Sequence, residues 1–333
     1  MKKILKSQIK DESQKHNSHT AEYNDNEVSI LKPQDLKLLN FVQIHKRMNT
    51  YLNPSHIFKN VQNIQTVNVA KVEDERERHH LTSLNKERKH VIININNKNN
   101  VSWNAFFSYI PFKLEVHYLM QSFESLLERF LLLEDKYICY LQFSQENISF
   151  DDAYTPIVDG FYHAFQLDKI EVTEYRETNL KLVDIDCLSF ELFYMISVLD
   201  SSNIIKGDDI IKLYLNKCYF LSFMNVKEKN VFYDDISMQF KRYKTIKREE
   251  LLLTIAKEWK TWNLLIISSC YLAVLNSYID AYDFKHVFWS EWINLLKSNL
   301  SPDPTKRYNI SQMLLQFKNL KKEVDNWQSV ISS

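Results

Sequence analysis

Glycine is nearly missing from this chain: Gly160 and Gly207 are the only two in 333 residues. A loop that wraps a phosphate in backbone N–H groups needs several close glycines, because a Cβ would clash at those turns. Two isolated glycines cannot write a Walker loop, a dinucleotide fingerprint or a G-x-S-x-G elbow. Cysteine is scarce too. Cys139, Cys187, Cys218 and Cys270 lie far apart with no C-x-x-C pair. They read as reduced core thiols, not as a disulfide frame or a zinc site. There is no excess of charge. The 42 basic residues balance 42 acidic ones, whereas a dedicated nucleic-acid binder is basic. The opening MKKILKSQIKDESQK is charged and lacks the apolar stretch of a secretory signal, so an intracellular location, host cytoplasm or virion if viral, is expected. The longest uncharged run, Thr261 to Ile279, is about the length of a bilayer span. Asn263, Ser268, Ser269, Asn276 and Ser277 interrupt it, so a buried helix is expected there and no membrane span.

What is present is apolar. Hydrophobic residues make up 45% of the chain and aromatics 13%, enough for a sizeable core, which excludes a disordered chain as the whole answer. Residues 1–30 are polar without apolar period and read as a flexible arm. Residues 34–52 have helical spacing; 64–72 and 90–96 alternate as short strands. From Phe112 onward, long helical periods take over. In 114–136, Leu119, Phe123, Leu126, Leu127, Phe130 and Leu131 form one face, with Glu124, Glu128 and Arg129 opposite. Helices are also expected over 182–199, 211–224, 250–279, 287–298 and 310–331. The organisation is then an arm (1–30), a small mixed part (31–111) and a large helical part (112–333).

Residues 137–165, YICYLQFSQENISFDDAYTPIVDGFYHAF, carry a more specific pattern. A helix runs into a short strand, Ile138-Cys139-Tyr140. A polar loop ends at Asn147, and two further strands deliver Asp159-Gly160. Near the end, LSPDPTKRYNISQML (300–314) sets D-P-x-x-R before a helix. Together these stretches resemble the catalytic core of a protein kinase: H-R-D-x-x-x-x-N, a hairpin, D-F-G, and a closing D-P-x-x-R. The resemblance covers roughly residues 112–325. The divergent motifs and the Lys/Asn/Ile-rich composition resemble kinase-like proteins of large nucleocytoplasmic DNA viruses.

The resemblance implies an α+β, kinase-like fold with a degenerate N-terminal lobe and a large, mainly helical C-terminal lobe. It implies Asn147 and Asp159 as Mg²⁺ ligands and ATP as the nucleotide, with Lys71 in Val69-Ala70-Lys71 as the relic of V-A-I-K. Arg307 is the closing arginine, with Glu174 as its candidate ion-pair partner. The buried central helix, opened by an Asp that braces the catalytic loop, is taken as 183–199 with Asp186. That choice makes 201–260 an insertion. A rival segment, 261–275, has Lys260 in the Asp position. The departures are chemical. Five residues before Asn147 stands Gln142, an amide where the family has its catalytic Asp, and an amide is no base near neutral pH. The H-R-D Arg and the Gly-rich loop are absent. The expectation is therefore a pseudokinase that binds a protein partner and has lost the chemistry. One alternative is an atypical serine/threonine kinase with Asp151 or Asp152 as base; another is a helical structural or virion-assembly protein.

Other clusters have plainer readings. His79, His80 and His90 lie in a charged segment, and Asp208-Asp209 and Asp234-Asp235 fit helix starts or loops. The stretch KRYKTIKREE (241–250) is basic with Phe240 and Tyr243 interleaved, but Glu249 and Glu250 dilute it, so a solvated helix end is expected. Trp259, Trp262, Trp289 and Trp292 exceed what a core needs, so an apolar docking face is expected among them.

Overall fold

The computed structural model describes residues 19–23, 27–33, 61–68, 89–96, 100–109, 112–140, 144–151, 153–158, 164–166, 188–199, 209–281 and 286–324. The chain forms two compact units. One comprises Met1–Ser102 and Ile148–Tyr162; the other comprises Trp103–Asn147 and His163–Ser333. At this level the fold is α+β, mostly helical with small antiparallel sheets.

The first unit holds strands β1 (His19–Tyr23), β2 (Glu27–Pro33), β3 (Val61–Asn68) and β4 (Lys89–Asn96), an antiparallel sheet in the order β1-β2-β4-β3. The alternating pattern of HVIININ sets the register. Ile93 stands opposite Ile30 on one side and Ile64 on the other, and Ile95 stands opposite Val28 and Val61. Such β-branched cross-strand rows are the stabilising unit of a sheet. The β1–β2 hairpin places strands at 19–23 and 27–30 inside the segment read as a flexible arm; residues 1–18 lie outside the described residues. Its alternation, Glu27-Val28-Ser29-Ile30, is too short to register in a search for helical period.

A second sheet of this unit joins β5 (Val101–Ser102), β7 (Ile148–Phe150) and β8 (Pro156–Val158). The β7–β8 hairpin closes through Asp151, whose Oδ1 accepts the N–H of Ala153 at 3.0 Å and of Thr155 at 2.8 Å. Tyr154 takes the left-handed φ of 59° that the turn demands, a position where glycine would be easier.

The second unit begins with α1 (Trp103–Tyr109) and α2 (Phe112–Asp135) and continues through β6 (Ile138–Tyr140), paired with β9 (Ala164–Gln166). Helices α3 (Phe190–Leu199), α4 (Asp209–Lys217), α5 (Val226–Lys244) and α6 (Arg248–Ala256) follow. The last three are α7 (Trp262–Ala281), α8 (Val287–Ser298) and α9 (Ile310–Lys322). The α2 face is buried as its spacing requires, with Phe123, Leu126, Leu127 and Phe130 fully enclosed. Opposite, Glu124 and Glu128 reach Lys318 and Lys321 of α9 at 2.6–3.3 Å. Arg129 departs from the expected polar face and is buried. With so little glycine, α2 ends on Tyr137 at φ 57°, where glycine is the usual left-handed cap.

The core is aromatic. Phe123 meets Tyr271 and Phe317 edge to face at 4.7 and 4.8 Å, and Trp289 stacks on Trp292 at 6.1 Å. Trp259, Trp262, Trp289 and Trp292 are all buried, which corrects the expectation that they form a docking face. Among the described residues one helical stretch, Trp259–Ile279, is long and apolar enough to span a bilayer, and 72% of it is buried inside the unit. It is the core helix its interrupting Asn and Ser residues imply.

Candidate functional site

Helix α7 organises the region that carries the sequence motifs. Several polar residues along it make specific hydrogen bonds. Asn263, in its first turn, accepts the backbone N–H of Tyr140 through Oδ1 at 3.3 Å and so ties the end of β6 to the helix. Tyr271 donates to Ser122 of α2 at 2.9 Å, and Tyr219 donates to Ser269 at 2.9 Å. Cys270 is buried, which pushes its thiol up to about 12, against hydrogen bonds from Tyr219, Ser269 and the Gln145 backbone. Helix α7 thus holds the end of β6. Asp186, the residue expected to brace the loop, lies outside the described residues. Residues 209–256 do not hang off the unit as an ornament, since Ile210, Tyr214, Phe232, Ile236 and Leu251 are core residues.

The loop that follows β6 closes on Asn147. Its Oδ1 accepts the backbone N–H of Ser144 at 2.8 Å, and its own N–H donates to the Ser144 carbonyl at 3.0 Å. The amide oxygen expected to bind a metal thus staples a one-turn 3₁₀ helix, Gln145–Asn147. Asp151 is spent in the same way, on the β7–β8 turn, which leaves it a poor candidate for a base. Gln142, Asp152, Asp159, Asp186, Glu174 and Lys71 lie outside the described residues, as do His79 and His80. Lys71 falls three positions past the end of β3. Lys32, not singled out from the sequence, sits on the inner strand β2 opposite Val91. Among the described residues no three His, Cys, Asp or Glu side chains gather as a metal site.

Arg307, for which the resemblance offered Glu174 as a candidate partner, is ion-paired with Glu191. Its Nη2 donates to Oε1 of Glu191, in the first turn of α3, and both side chains are fully buried. The turn before it is built by its own residues. Asp303 Oδ1 accepts from the Thr305 N–H at 3.0 Å and its hydroxyl at 2.8 Å, and Asn299 Oδ1 accepts the Tyr308 N–H at 3.0 Å. Among the described residues, Arg307 Nε and Nη1 and Glu191 Oε2 have no hydrogen-bond partner. Tyr243 is buried beside this pair, and burial, with the Glu191 charge, raises its hydroxyl well above the usual range.

Two more buried groups stand out. Glu134, in the last turn of α2, is 8% exposed and its Oε1 has no hydrogen-bond partner among the described residues. Burial pushes its carboxyl up to about 7, against the opposing pull of Lys260 and the Ile310 N–H. Cys139, on the neighbouring strand, is raised by burial and by the Glu134 charge, so it is an inert thiol. In the basic stretch at the end of α5, Lys241, Arg242 and Lys244 are exposed whereas Phe240 and Tyr243 are buried. No aromatic platform for stacking bases is formed there. No protein-family model matches this chain, and no curated protein matches it in sequence.

Proposed function

We propose that this chain is a pseudokinase-type binding protein, a kinase-like fold that holds a partner and has lost phosphoryl transfer. One observation carries the reading: the arginine of D-P-T-K-R, Arg307, forms a fully buried ion pair with an upstream glutamate, Glu191. That is the role the resemblance gives this arginine. Ser189-Phe190-Glu191 then stands where the family has A-P-E. Two further features support it. Helix, strand, turn and hairpin follow one another over 112–158 in the expected order. A buried apolar helix, α7, braces the β6 loop through a side-chain oxygen in its first turn.

The loss of chemistry follows from residue types. Gln142 cannot take a proton from a hydroxyl near neutral pH. The Asn147 oxygen is committed to its own turn. No glycine precedes residue 160 to form a loop over the phosphates. ATP and Mg²⁺ remain the ligands that a surviving site would take, through Asp159 and a sheet lysine.

The test is transfer of ³²P from [γ-³²P]ATP–Mg²⁺ to the chain itself and to casein, beside Asp159→Ala. Equal background from both proteins is the expected result. Transfer by the wild type that Asp159→Ala abolishes would overturn the reading and favour the atypical kinase.

A further inference from the structure

Helix α2 ends around Glu134. Lys136 donates its N–H to the Leu133 carbonyl at 3.0 Å, and Tyr137 donates to the Glu134 carbonyl at 2.9 Å. Tyr137, in its left-handed conformation, then turns the chain into β6 and sets its half-exposed ring 6.3 Å from that of Trp259. The enclosed Glu134 carboxyl accepts the N–H of Ile310, the first residue of α9. The opening N–H groups of a helix have no partner within it. In α9, Asn309 caps the N–H of Gln312 at 2.8 Å, and the N–H of Ile310 is satisfied from a different helix. One buried carboxyl thus clasps the end of α2 to the start of α9.

The titratable groups that bear on this carboxyl come from three elements. They are Asp135 of α2, Cys139 of β6 and Lys260 of the 3₁₀ turn Trp259–Thr261. Asp135 opposes a negative charge on Glu134, and Lys260 favours one. Lys260 is exposed, stands over the Trp259 ring at 5.7 Å and makes no ion pair with Glu134 among the described residues. Oε1 of Glu134 has no donor among them either. An ionised carboxylate has about four lone-pair sites to fill, and burying it unpaired costs far more than burying the neutral acid. The surroundings therefore suit the acid and not its anion.

We infer that this corner is a proton-operated clasp. With Glu134 neutral, the start of α9 is held to the end of α2. With Glu134 ionised, its side chain leaves the interior for solvent and Lys260, and the first turn of α9 is released. Ile310 lies three positions after Arg307, so the clasp also fixes where the D-P-T-K-R turn enters its helix. The inference rests on this corner alone and stands whether or not the fold is kinase-like. Burial holds the closed carboxyl at about 7, against 4.5 in the open form. The closed form is then favoured most below pH 4.5, loses ground as pH rises to 7 and levels off above it. Between pH 5 and pH 8 the opening equilibrium should rise about 70-fold.

Amide hydrogen exchange of the full chain from pH 5 to pH 9, resolved to single residues by mass spectrometry, tests this. Dividing each rate by that of an unstructured peptide at the same pH removes the chemical effect of pH. The amides of Ile310 and Ser311 report the clasp, and those in the middle of α7 report unfolding of the whole unit. In the wild type, Ile310 and Ser311 should open more readily than α7, and about 70-fold more at pH 8 than at pH 5. Glu134→Gln keeps an acceptor oxygen that does not titrate, so its profile should be flat. Lys260→Met, at an exposed position, removes the cation that favours ionisation in place, so the rise should continue past pH 7. Unchanged melting temperatures at pH 5 verify that both variants fold. A flat wild-type profile, an equal rise in Glu134→Gln, a Lys260→Met profile that levels off with the wild type, or Ile310 and Ser311 exchanging in step with α7 would overturn the proposal.

Discussion

Replacing Arg307 by Ala should be among the most damaging single changes available in this protein. Both charges of the Arg307–Glu191 pair are fully buried. Taking the arginine away leaves a carboxylate in an apolar interior with no counter-charge. Breaking a buried pair from one side costs about 3–5 kcal/mol. For a unit of roughly 200 residues that corresponds to a melting temperature lower by about 6–20 °C. The same reasoning predicts the opposite for the pair removed together. Arg307→Met with Glu191→Leu leaves no orphan charge, and such exchanges are neutral or stabilising by about 1–4 kcal/mol. The native pair is also incompletely bonded, with three polar atoms unpartnered among the described residues, which tilts the balance further toward the apolar exchange. Urea unfolding of the wild type, each single variant and the double variant closes the cycle. A cost below about 1 kcal/mol for Arg307→Ala, or a double variant equal to the sum of its parts, would refute the view that these residues act as one buried unit.

Two further outcomes can be checked in the same assay. Asn263→Ala strands the buried N–H of Tyr140 and should cost about 1–3 kcal/mol, with hydrogen exchange at Tyr140 accelerated; exchange unchanged at that amide would sink the assignment of α7 as the brace. Glu134 has a folded-state pKa of about 7, above its ordinary 4.5, so its contribution is fully present below pH 4.5 and is lost as pH rises to 7. Glu134→Gln should therefore raise stability at pH 8 by up to about 3 kcal/mol, at 1.36 kcal/mol per unit, and the advantage should vanish near pH 5. Parallel stability curves for the two proteins over pH 5–8 would refute it.

The regular elements were legible because their causes are local. The α2 period, the α8 span of 287–298 and the alternation of β4 are written in neighbouring residues, and the structure has them at those places. The long-range pairings were not. Glu191 and Arg307 are 116 positions apart, and any glutamate between 160 and 200 fits the spacing equally well. The tryptophans misled for a related reason. Composition counts aromatic side chains, but only packing says whether they turn inward. Here Trp262, Trp289 and Trp292 are all buried.

The brace was missed because the search was for a carboxylate. To hold one backbone N–H, an acceptor oxygen is enough, and the amide of Asn263 supplies it at a site 2% exposed. An ionised Asp there would carry a desolvation cost that only a nearby cation offsets. The same exchange stands at Gln142, again an amide where the proposed ancestry has a carboxylate. Putting a carboxylate at the buried Asn263 site, by Asn263→Asp, should therefore lower stability even though an acceptor oxygen is kept, and urea unfolding beside Asn263→Ala checks it.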